Sequence, residues 1–139
     1  RAQPRWSNAA LDYGYAVLRG AIARSLVAHG LHPSVGLFHA SEQNAFNLAD
    51  DLIEPFRPVV DLHVFKHHPK EDPDELRPSE KSTLVGLLNV DMGMPRGTMS
   101  VLSAIEQAVE SLVRVLEASD EQLVELPTLI GLIQHRVDG

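Results

Sequence analysis

The stretch RWSNAALDYGYAVLRGAIARSLVAHG, residues 5–30, predicts a long helix that sets the character of the fold. Large side chains recur in it at steps of three and four, which places them on one stripe of a helix. Ser7 or Asn8 is suited to cap its start, and Gly30 is suited to end it in a left-handed conformation. The residues of the stripe are Leu11, Tyr15, Leu18, Ile22 and Leu26.

Small residues occupy much of the remaining surface of this helix. Gly14, Gly20 and several alanines would let another backbone approach closely, so we expect the helix to be buried on more than one side. A second clear helical pattern lies near the other end of the chain, where apolar residues step by three, four, three and four. Those residues are Leu102, Ile105, Val109, Leu112 and Leu116; their stripe indicates either core packing or a seam with a partner, and we favour the core.

Between these two patterns, the sequence FNLADDLIEPFRP, residues 46–58, lies in a predicted helix that starts at about Asn44. Pro55 should break or kink this helix, because proline lacks an amide hydrogen and crowds the preceding turn. An apolar stripe precedes the break, and a buried pattern follows it to about Lys66. The stripe is Ala45, Ala49, Leu52 and Phe56, and the later pattern is Val59, Val60, Val64 and Phe65.

The rest of the chain alternates loops with short elements. Residues 66–80 are charged and proline-rich, which predicts an exposed loop, and a short helix should follow from about Ser79 to Leu88. Residues 89–99 form a turn region with room for a very small hairpin. A terminal helix should start near Pro127, a favoured residue of a first helical turn. The fold class is therefore all-α, with about five helices in a single domain spanning residues 1–139.

Composition excludes several classes of function. The chain has no cysteine, so disulfides, thiolate catalysis and cysteine–zinc sites are excluded, and a reducing cytoplasm fits. No apolar run is long enough to span a membrane, and no leader segment is recognisable. The net charge of −7 argues against a nucleic-acid binder, although it describes the whole surface and not one groove. The start at Arg1, without methionine, suggests a fragment of a longer chain.

The helix around residue 50 carries an acidic face. Four polar residues share one side of it, because positions three and four apart are neighbours on a helix; they are Asn47, Asp50, Asp51 and Glu54. Arg57 extends that side if the helix persists, and His39 lies in the loop just before it. Carboxylates suit Mg²⁺ or Mn²⁺, and an imidazole favours Mn²⁺. The alternative is the solvated face of an ordinary surface helix, and spacing by itself favours that alternative.

His63 and His67 are a second candidate for metal binding. Histidines four residues apart on a helix are able to hold zinc. A zinc protease places a glutamate after the first histidine, and Val64 stands at that position here. Zinc is therefore a weaker hypothesis than a cation on the acidic face.

Four segments in a fixed order resemble the C-terminal lobe of the CRISPR adaptation integrase. They are NAALDYGYAVLRGAIARSLVAHGLHPSVGLFH at residues 8–39, NAFNLADDLIEPFRPVVD at 44–61, LVGLLNVDM at 84–92 and LPTLIGLIQHRV at 126–137. That family comprises the metal-dependent DNA endonucleases of spacer acquisition, and this chain is similar to the branch found in type II systems. The resemblance covers nearly the whole chain, and the run from residue 36 to residue 58 is its most specific part.

The resemblance implies a helical lobe that follows a small β-rich N-terminal domain, which this chain lacks. It implies Mg²⁺ or Mn²⁺ held by a glutamate, a histidine and a second acid. The histidine corresponds to His39 and the second acid to Glu54, while Asp51 corresponds to a supporting acid. The first glutamate would precede Arg1, so we expect this chain to bind metal weakly and to be inactive by itself. Asp50 is then the ordinary solvated acid of the cluster.

Further roles follow from the same resemblance. Asn44 is expected to order the loop that carries His39, and Arg57 is expected to pair with an acid or a DNA phosphate. The implied reaction is transesterification, in which a captured DNA fragment is joined to the repeat array. The implied partners are double-stranded DNA (the prespacer and the CRISPR repeat), a second copy in a homodimer, and a second CRISPR adaptation protein (Cas-two), with no membrane. The alternative is a helical interaction module without activity.

Overall fold

The chain folds around one long helix, which is packed on several sides by shorter elements. In a computed structural model, the structure describes residues 4–30 and 49–118, with side chains described up to residue 115. The elements are α1 (Arg5–Ala28), a helical turn at residues 49–52, a 3₁₀ turn (Glu54–Phe56), α2 (Arg57–Lys66), α3 (Pro78–Gly86), a second 3₁₀ turn (Leu87–Asn89), β1 (Asp91–Met94), β2 (Gly97–Ser100) and α4 (Val101–Ala118). The predicted all-α class is confirmed, with one small hairpin added.

Helix α1 contacts α2, α3 and α4, which confirms that it is buried on more than one side. Leu18, Ile22 and Leu26 of the predicted stripe are at most 1% exposed. Leu11 and Tyr15 belong to the same stripe but are only partly buried, at the edge of the core. The periodicity therefore identified the core-facing side of this helix correctly.

The predicted close approach to α1 occurs at Gly14 and not at Gly20. A β-carbon added at Gly14 would lie 2.5 Å from Cγ1 of Val60 in α2, which is too close for a non-bonded contact between carbon atoms. At Gly20, an added β-carbon would meet only a guanidinium nitrogen of Arg24 at 3.7 Å, an ordinary contact. The absence of a side chain at Gly14 thus lets α1 and α2 pack together directly.

The start of α1 is capped by a distant residue, so the prediction of a cap at Ser7 or Asn8 was wrong. The helix begins at Arg5, and the Asp72 carboxylate accepts hydrogen bonds from the backbone amides of Arg5 (3.2 Å) and Trp6 (2.9 Å). These amide donors hold the pKa of Asp72 below its usual value, with the bond from Trp6 the largest cause. At the other end, Gly30 adopts φ +94°, as predicted for a left-handed terminus.

Pro55 interrupts the helix before α2, as predicted. The helical turn at residues 49–52 gives way to the 3₁₀ turn, and α2 then starts at Arg57. Ala49, Leu52 and Phe56 are buried, which confirms the described part of that stripe; Ala45 and the start at Asn44 lie outside the described residues. Val59, Val60 and Val64 are buried too.

The prediction of a buried Phe65 was wrong, because this side chain is 83% exposed. Val60 and Val64 are four residues apart and define the core-facing side of α2. The residue after Val64 is rotated by about 100° from that side and points outward. An apolar residue near the end of a helix does not by itself indicate burial.

The hairpin determines which side of α4 faces the core. Strands β1 and β2 pair antiparallel through the turn between Met94 and Gly97, and α4 follows without a linker. Val101 is therefore fully buried, while Leu102 is 42% exposed, so the prediction that Leu102 begins the core stripe was wrong. Ile105 and Val109 are buried as predicted. The side chain of Leu116 and the helix predicted near Pro127 lie outside the described residues.

The short helix after the charged loop is confirmed with slightly shifted bounds. It begins at Pro78 and ends at Gly86, and a 3₁₀ turn carries the chain on to Asn89. The Glu80 side chain accepts a 2.7 Å hydrogen bond from the backbone amide of Arg77, which fixes the first turn. Glu80 also accepts a 3.1 Å hydrogen bond from the indole nitrogen of Trp6 and thereby ties α3 to the start of α1.

Candidate functional site

The structure describes three of the five predicted site residues: Asp51, Glu54 and Arg57. His39 and Asn44 lie outside the described residues. Asp51 and Glu54 are both exposed, whereas Ile53 between them is 3% exposed and faces the core. The local chain thus buries its apolar residues and leaves both acids on the surface, as helical spacing predicted.

Glu54 is held by one described cation. Its Oε1 lies 3.6 Å from Nε of Arg57, three residues later, and the two side chains are 67% and 44% exposed. The pair spans the junction between the 3₁₀ turn and α2, where Pro55 sits in the first turn. The distance is longer than that of a hydrogen bond, so the carboxylate oxygens keep most of their capacity to bind another group.

Arg57 is itself fixed from the side of α1. The central carbon of its guanidinium lies 4.9 Å from the centre of the Tyr15 ring, within the range of a cation–π contact. The Tyr15 hydroxyl donates a hydrogen bond to the Asp61 carboxylate in α2. The Nε atom of Arg57 is buried and has no hydrogen-bond partner among the described residues. The Glu54 carboxylate, with its Oε1 atom 3.6 Å away, is an ion-pair partner of this nitrogen.

The surroundings of Tyr15 keep its hydroxyl protonated. Burial, the hydrogen bond to Asp61 and the negative charge of Asp61 together raise the pKa of Tyr15 to about 12. The phenol is therefore a donor throughout the neutral range. Among the charges near this hydroxyl, those of Asp61 and Glu54 raise the pKa of Tyr15, whereas the positive charge of Arg57 lowers it.

Asp50 is exposed, as expected for the solvated acid of the cluster, but it also makes an ion pair. Its Oδ1 lies 2.8 Å from Nε of Arg19 in α1, with about half of each side chain exposed to solvent. An exposed pair of this kind contributes only about 0.2–1 kcal/mol. Asp50 is thus directed toward α1 and is a less suitable metal ligand than Glu54.

The described residues do not form a complete metal site by themselves. In residues 4–30 and 49–118, no group of three or more histidine, aspartate or glutamate side chains is placed to hold a metal ion. Glu54 nevertheless fits the requirements of a hard cation, because it offers exposed carboxylate oxygens and is held only at a distance by Arg57. The resemblance adds His39 to this donor set, from outside the described part.

His63 and His67 face each other across one turn of α2. Their rings are stacked with centres 4.2 Å apart, and Nδ1 of His67 lies 2.8 Å from the carbonyl oxygen of His63. Burial, and then the nearby His67, lower the pKa of His63. Within the part of the chain that the structure describes, the pair gains no third ligand, so the zinc hypothesis receives no support here.

Sequence reasoning did not identify Tyr15 and Asp61 as part of this cluster. Asp61 follows Arg57 by four residues on α2, a spacing that brings side chains together and was therefore readable. From the sequence, Tyr15 was placed only in the apolar stripe of α1. Its contact with Asp61 joins residues 46 positions apart, and no local pattern indicates such a contact.

Comparison with known proteins identifies the family. The family model described as CRISPR associated protein Cas1 matches residues 4–82, which is more than half of the chain. The chain belongs to the Cas1 family. The matched range contains α1, α2 and the entire cluster of Tyr15, Glu54, Arg57 and Asp61, so the resemblance seen in the sequence is confirmed.

Individual Cas1 proteins extend this match. The chain is 40% identical over 132 residues to a CRISPR-associated endonuclease Cas1 of Neisseria meningitidis serogroup C, a match that covers 94% of this chain and 43% of that protein. It is 48% identical over 65 residues to a CRISPR-associated endonuclease Cas1 of Pyrobaculum aerophilum (47% of this chain, 22% of that protein) and 53% identical over 58 residues to one of Thermus thermophilus (41% and 18%). This Cas1-family chain thus spans less than half the length of these relatives.

The helices also bear on the predicted absence of a membrane. Among the described residues of this Cas1-family chain, no helix combines the length and the apolar character needed to cross a bilayer.

Proposed function

We propose that this chain is the C-terminal catalytic lobe of a metal-dependent DNA endonuclease and integrase, which inserts new spacers into a CRISPR repeat array by transesterification. One observation carries the proposal. Within the segment that matches the Cas1 family, Glu54 presents an exposed carboxylate beside the Pro55 break. That carboxylate belongs to a turn whose Phe56 is fully buried, so the backbone that carries it is anchored to the core.

In this proposal, Glu54 and His39 would hold Mg²⁺ or Mn²⁺, and Asp51 would support them. The remaining glutamate that the resemblance implies would come from elsewhere in the whole protein. When bound, the ion supplies stabilisation of charge on the attacked phosphate and favours deprotonation of the attacking 3′-hydroxyl. His39 would act either as a ligand or as the carrier of the proton that leaves that hydroxyl.

The side chains around Glu54 would serve the same reaction. Arg57 limits the build-up of negative charge where two acids and a DNA phosphate meet, and it is placed either to keep its contact with Glu54 or to contact that phosphate. Asn44 would order the loop that carries His39. The burial of Phe56 anchors the backbone of the turn that carries Glu54, which would reduce reorganisation of that backbone during the reaction.

The proposed partners follow from the reaction. They are double-stranded DNA, as prespacer and as CRISPR repeat, a second copy of the protein in a homodimer, and a second CRISPR adaptation protein (Cas-two). The net charge of −7 means that this lobe does not supply a general attraction for DNA. We therefore assign most contacts with the DNA backbone to the remainder of the protein, to the second copy or to the partner protein.

The deciding experiment replaces Glu54 in the intact protein. We expect Glu54→Ala to abolish Mn²⁺-dependent strand transfer of a prespacer into a repeat-containing plasmid. The melting temperature should hardly change, because the side chain is 67% exposed and makes only a long ion pair. Asp50→Ala is the matched control: it removes a neighbouring exposed acid and should retain most of the activity.

Two outcomes would contradict the proposal. Normal strand transfer by Glu54→Ala would show that this carboxylate is not part of the site. Equal losses of strand transfer in Glu54→Ala and Asp50→Ala would show that the activity depends on the total negative charge of this surface and not on Glu54 in particular. If the intact protein performs no strand transfer but still binds its partner protein, the alternative of a helical interaction module replaces the proposal.

A further inference from the structure

A chain of contacts connects the surface acid Glu54 to helix α1. Glu54 lies 3.6 Å from Nε of Arg57. The guanidinium of Arg57 lies over the ring of Tyr15, with its central carbon 4.9 Å from the ring centre. The hydroxyl of Tyr15 is in turn bound to the Asp61 carboxylate. Arg57, Tyr15 and Asp61 are thus linked by contacts to one candidate metal ligand, Glu54.

This arrangement restricts a side chain that would otherwise be mobile. A free arginine side chain adopts many rotamers, and holding it in one of them costs conformational entropy. Here the aromatic ring supports one face of the Arg57 guanidinium, and Asp61 prevents the ring's hydroxyl from turning elsewhere. The buried Nε of Arg57 has no hydrogen bond to any described residue, and it forms an ion pair with Glu54, whose Oε1 lies 3.6 Å away.

The packing of the two helices sets the distances in this chain of contacts. Tyr15 belongs to α1, whereas Arg57 and Asp61 belong to α2. The residue before Tyr15 is Gly14, at the point where α1 lies against Val60. The close approach of the helices therefore brings the Tyr15 ring within reach of the α2 side chains next to it.

We propose that Tyr15 and Asp61 are positioning residues for the Arg57 guanidinium. Through that guanidinium they set the orientation of the Glu54 carboxylate toward a divalent cation. The inference rests on the proposed function, because it assumes that Glu54 is a metal ligand. Neither Tyr15 nor Asp61 touches the cation or the DNA in this proposal.

The test measures Mn²⁺ binding directly in the intact protein, by the electron paramagnetic resonance signal of free Mn²⁺ during titration. Tyr15→Phe keeps the ring under Arg57 but removes the bond to Asp61, and Asp61→Asn removes the charge from the same bond. We expect each to weaken Mn²⁺ binding by about tenfold, the lower end of the range for residues that orient metal ligands. Tyr15→Leu also removes the ring and should weaken binding further.

Tyr13→Phe is the matched control. It makes the same chemical change two residues away on α1, where the ring lies near Lys81 and not near Arg57. We expect its Mn²⁺ affinity to equal that of the unmodified protein. The double variant Tyr15→Phe with Asp61→Asn should bind Mn²⁺ no more weakly than Tyr15→Phe alone, because both changes act on one shared contact that Tyr15→Phe already removes.

Strand transfer separates positioning from a structural role. For Tyr15→Phe and Asp61→Asn, we expect the Mn²⁺ concentration at half-maximal rate to rise about tenfold, while the rate at saturating Mn²⁺ recovers. For Glu54→Ala, no concentration should restore the rate. A lower melting temperature with an unchanged Mn²⁺ requirement would mean that Tyr15 and Asp61 serve packing alone, which would overturn the inference.

The two levels of the proposal fail in different ways. If Glu54→Ala loses Mn²⁺ binding but Tyr15→Phe and Asp61→Asn both bind like the unmodified protein, the positioning inference is wrong and the proposed function stands. If Glu54→Ala binds Mn²⁺ and transfers strands normally, the proposed function is wrong, and the inference is lost with it.

Discussion

Replacing Gly14 by alanine tests the close packing of α1 on α2, which brings Tyr15 to the candidate site. The added β-carbon would lie 2.5 Å from Cγ1 of Val60 and 3.1 Å from Cγ2. Val60 is 1% exposed, so its branched side chain has no solvent space into which it could move. The helices would have to separate or Val60 would have to leave its preferred rotamer.

Two opposing terms determine the size of the effect. Alanine is favoured over glycine inside a helix by roughly 1 kcal/mol. Overpacking of a core by one methyl group costs about 1–3 kcal/mol. With a cost near the middle of that range, we expect Gly14→Ala to lower the free energy of unfolding by about 1 kcal/mol.

Gly20→Ala supplies the matched control on the same helix. The new methyl group would meet only the end of the Arg24 side chain, at 3.7 Å, so the propensity term should act almost alone. We expect Gly20→Ala to raise the free energy of unfolding by about 1 kcal/mol. The two alanine variants should then differ by about 2 kcal/mol, or roughly 8 °C in melting temperature for a domain of this size.

Urea denaturation followed by circular dichroism measures both changes. Adding Val60→Ala to Gly14→Ala removes the methyl groups that clash. We therefore expect Val60→Ala to cost less in the Gly14→Ala background than alone, with a coupling of about 1 kcal/mol. Equal stabilisation by Gly14→Ala and Gly20→Ala would contradict the close packing of the helices, because it would show that α1 and α2 have room between them.

Four further predictions concern the start of α1 and the histidine pair. Asp72→Asn keeps a capping oxygen but cannot ionise. The folded-state pKa of Asp72 lies below its usual 3.8, so the stability that its charge contributes is complete above pH 3.8 and is lost as pH falls through the lowered pKa. The unfolding curves of the unmodified protein and of the variant should therefore converge in acid. Trp6→Phe removes the indole donor to Glu80 and should cost about 1 kcal/mol by urea denaturation, whereas an unchanged midpoint would show that this bond contributes nothing. His63 has a folded-state pKa below its usual 6.5, so the unfolded chain binds the proton more readily and stability should fall as pH drops below 6.5; His63→Gln should flatten that dependence. If His63 and His67 hold no zinc, a zinc chelator should leave the melting temperature unchanged. Stoichiometric zinc in the purified protein that is lost from a His67→Ala variant would restore the zinc hypothesis.

Helical periodicity predicted the parts of the fold that depend on one element and its nearest neighbours. It identified the buried side of α1, the left-handed end at Gly30 and the break at Pro55. It also identified Asp51 and Glu54 as surface acids. Each of these features follows from the chemistry of one residue or from the spacing of residues along one helix, and the sequence supplies both kinds of information.

The same reasoning failed where a helix ends or where another element fixes its rotation. Phe65 was expected to be buried because it is apolar, but the rotation of α2 is set by Val60 and Val64. Leu102 was expected to start the core stripe of α4, but the hairpin before it places Val101 inward instead. Composition does not reveal which of two adjacent apolar residues a neighbouring strand will turn to the core.

The candidate site likewise has features that were predictable from the sequence and features that were not. The family, the exposed position of Glu54 and its proximity to Arg57 were predictable, because they depend on motif and on local spacing. The support of Arg57 by Tyr15 from another helix, and the capping of α1 by Asp72 from 66 residues away, became visible only in the folded chain. Such contacts arise when packed helices bring distant residues together, and the energy that selects them lies in the packing and not in any local pattern.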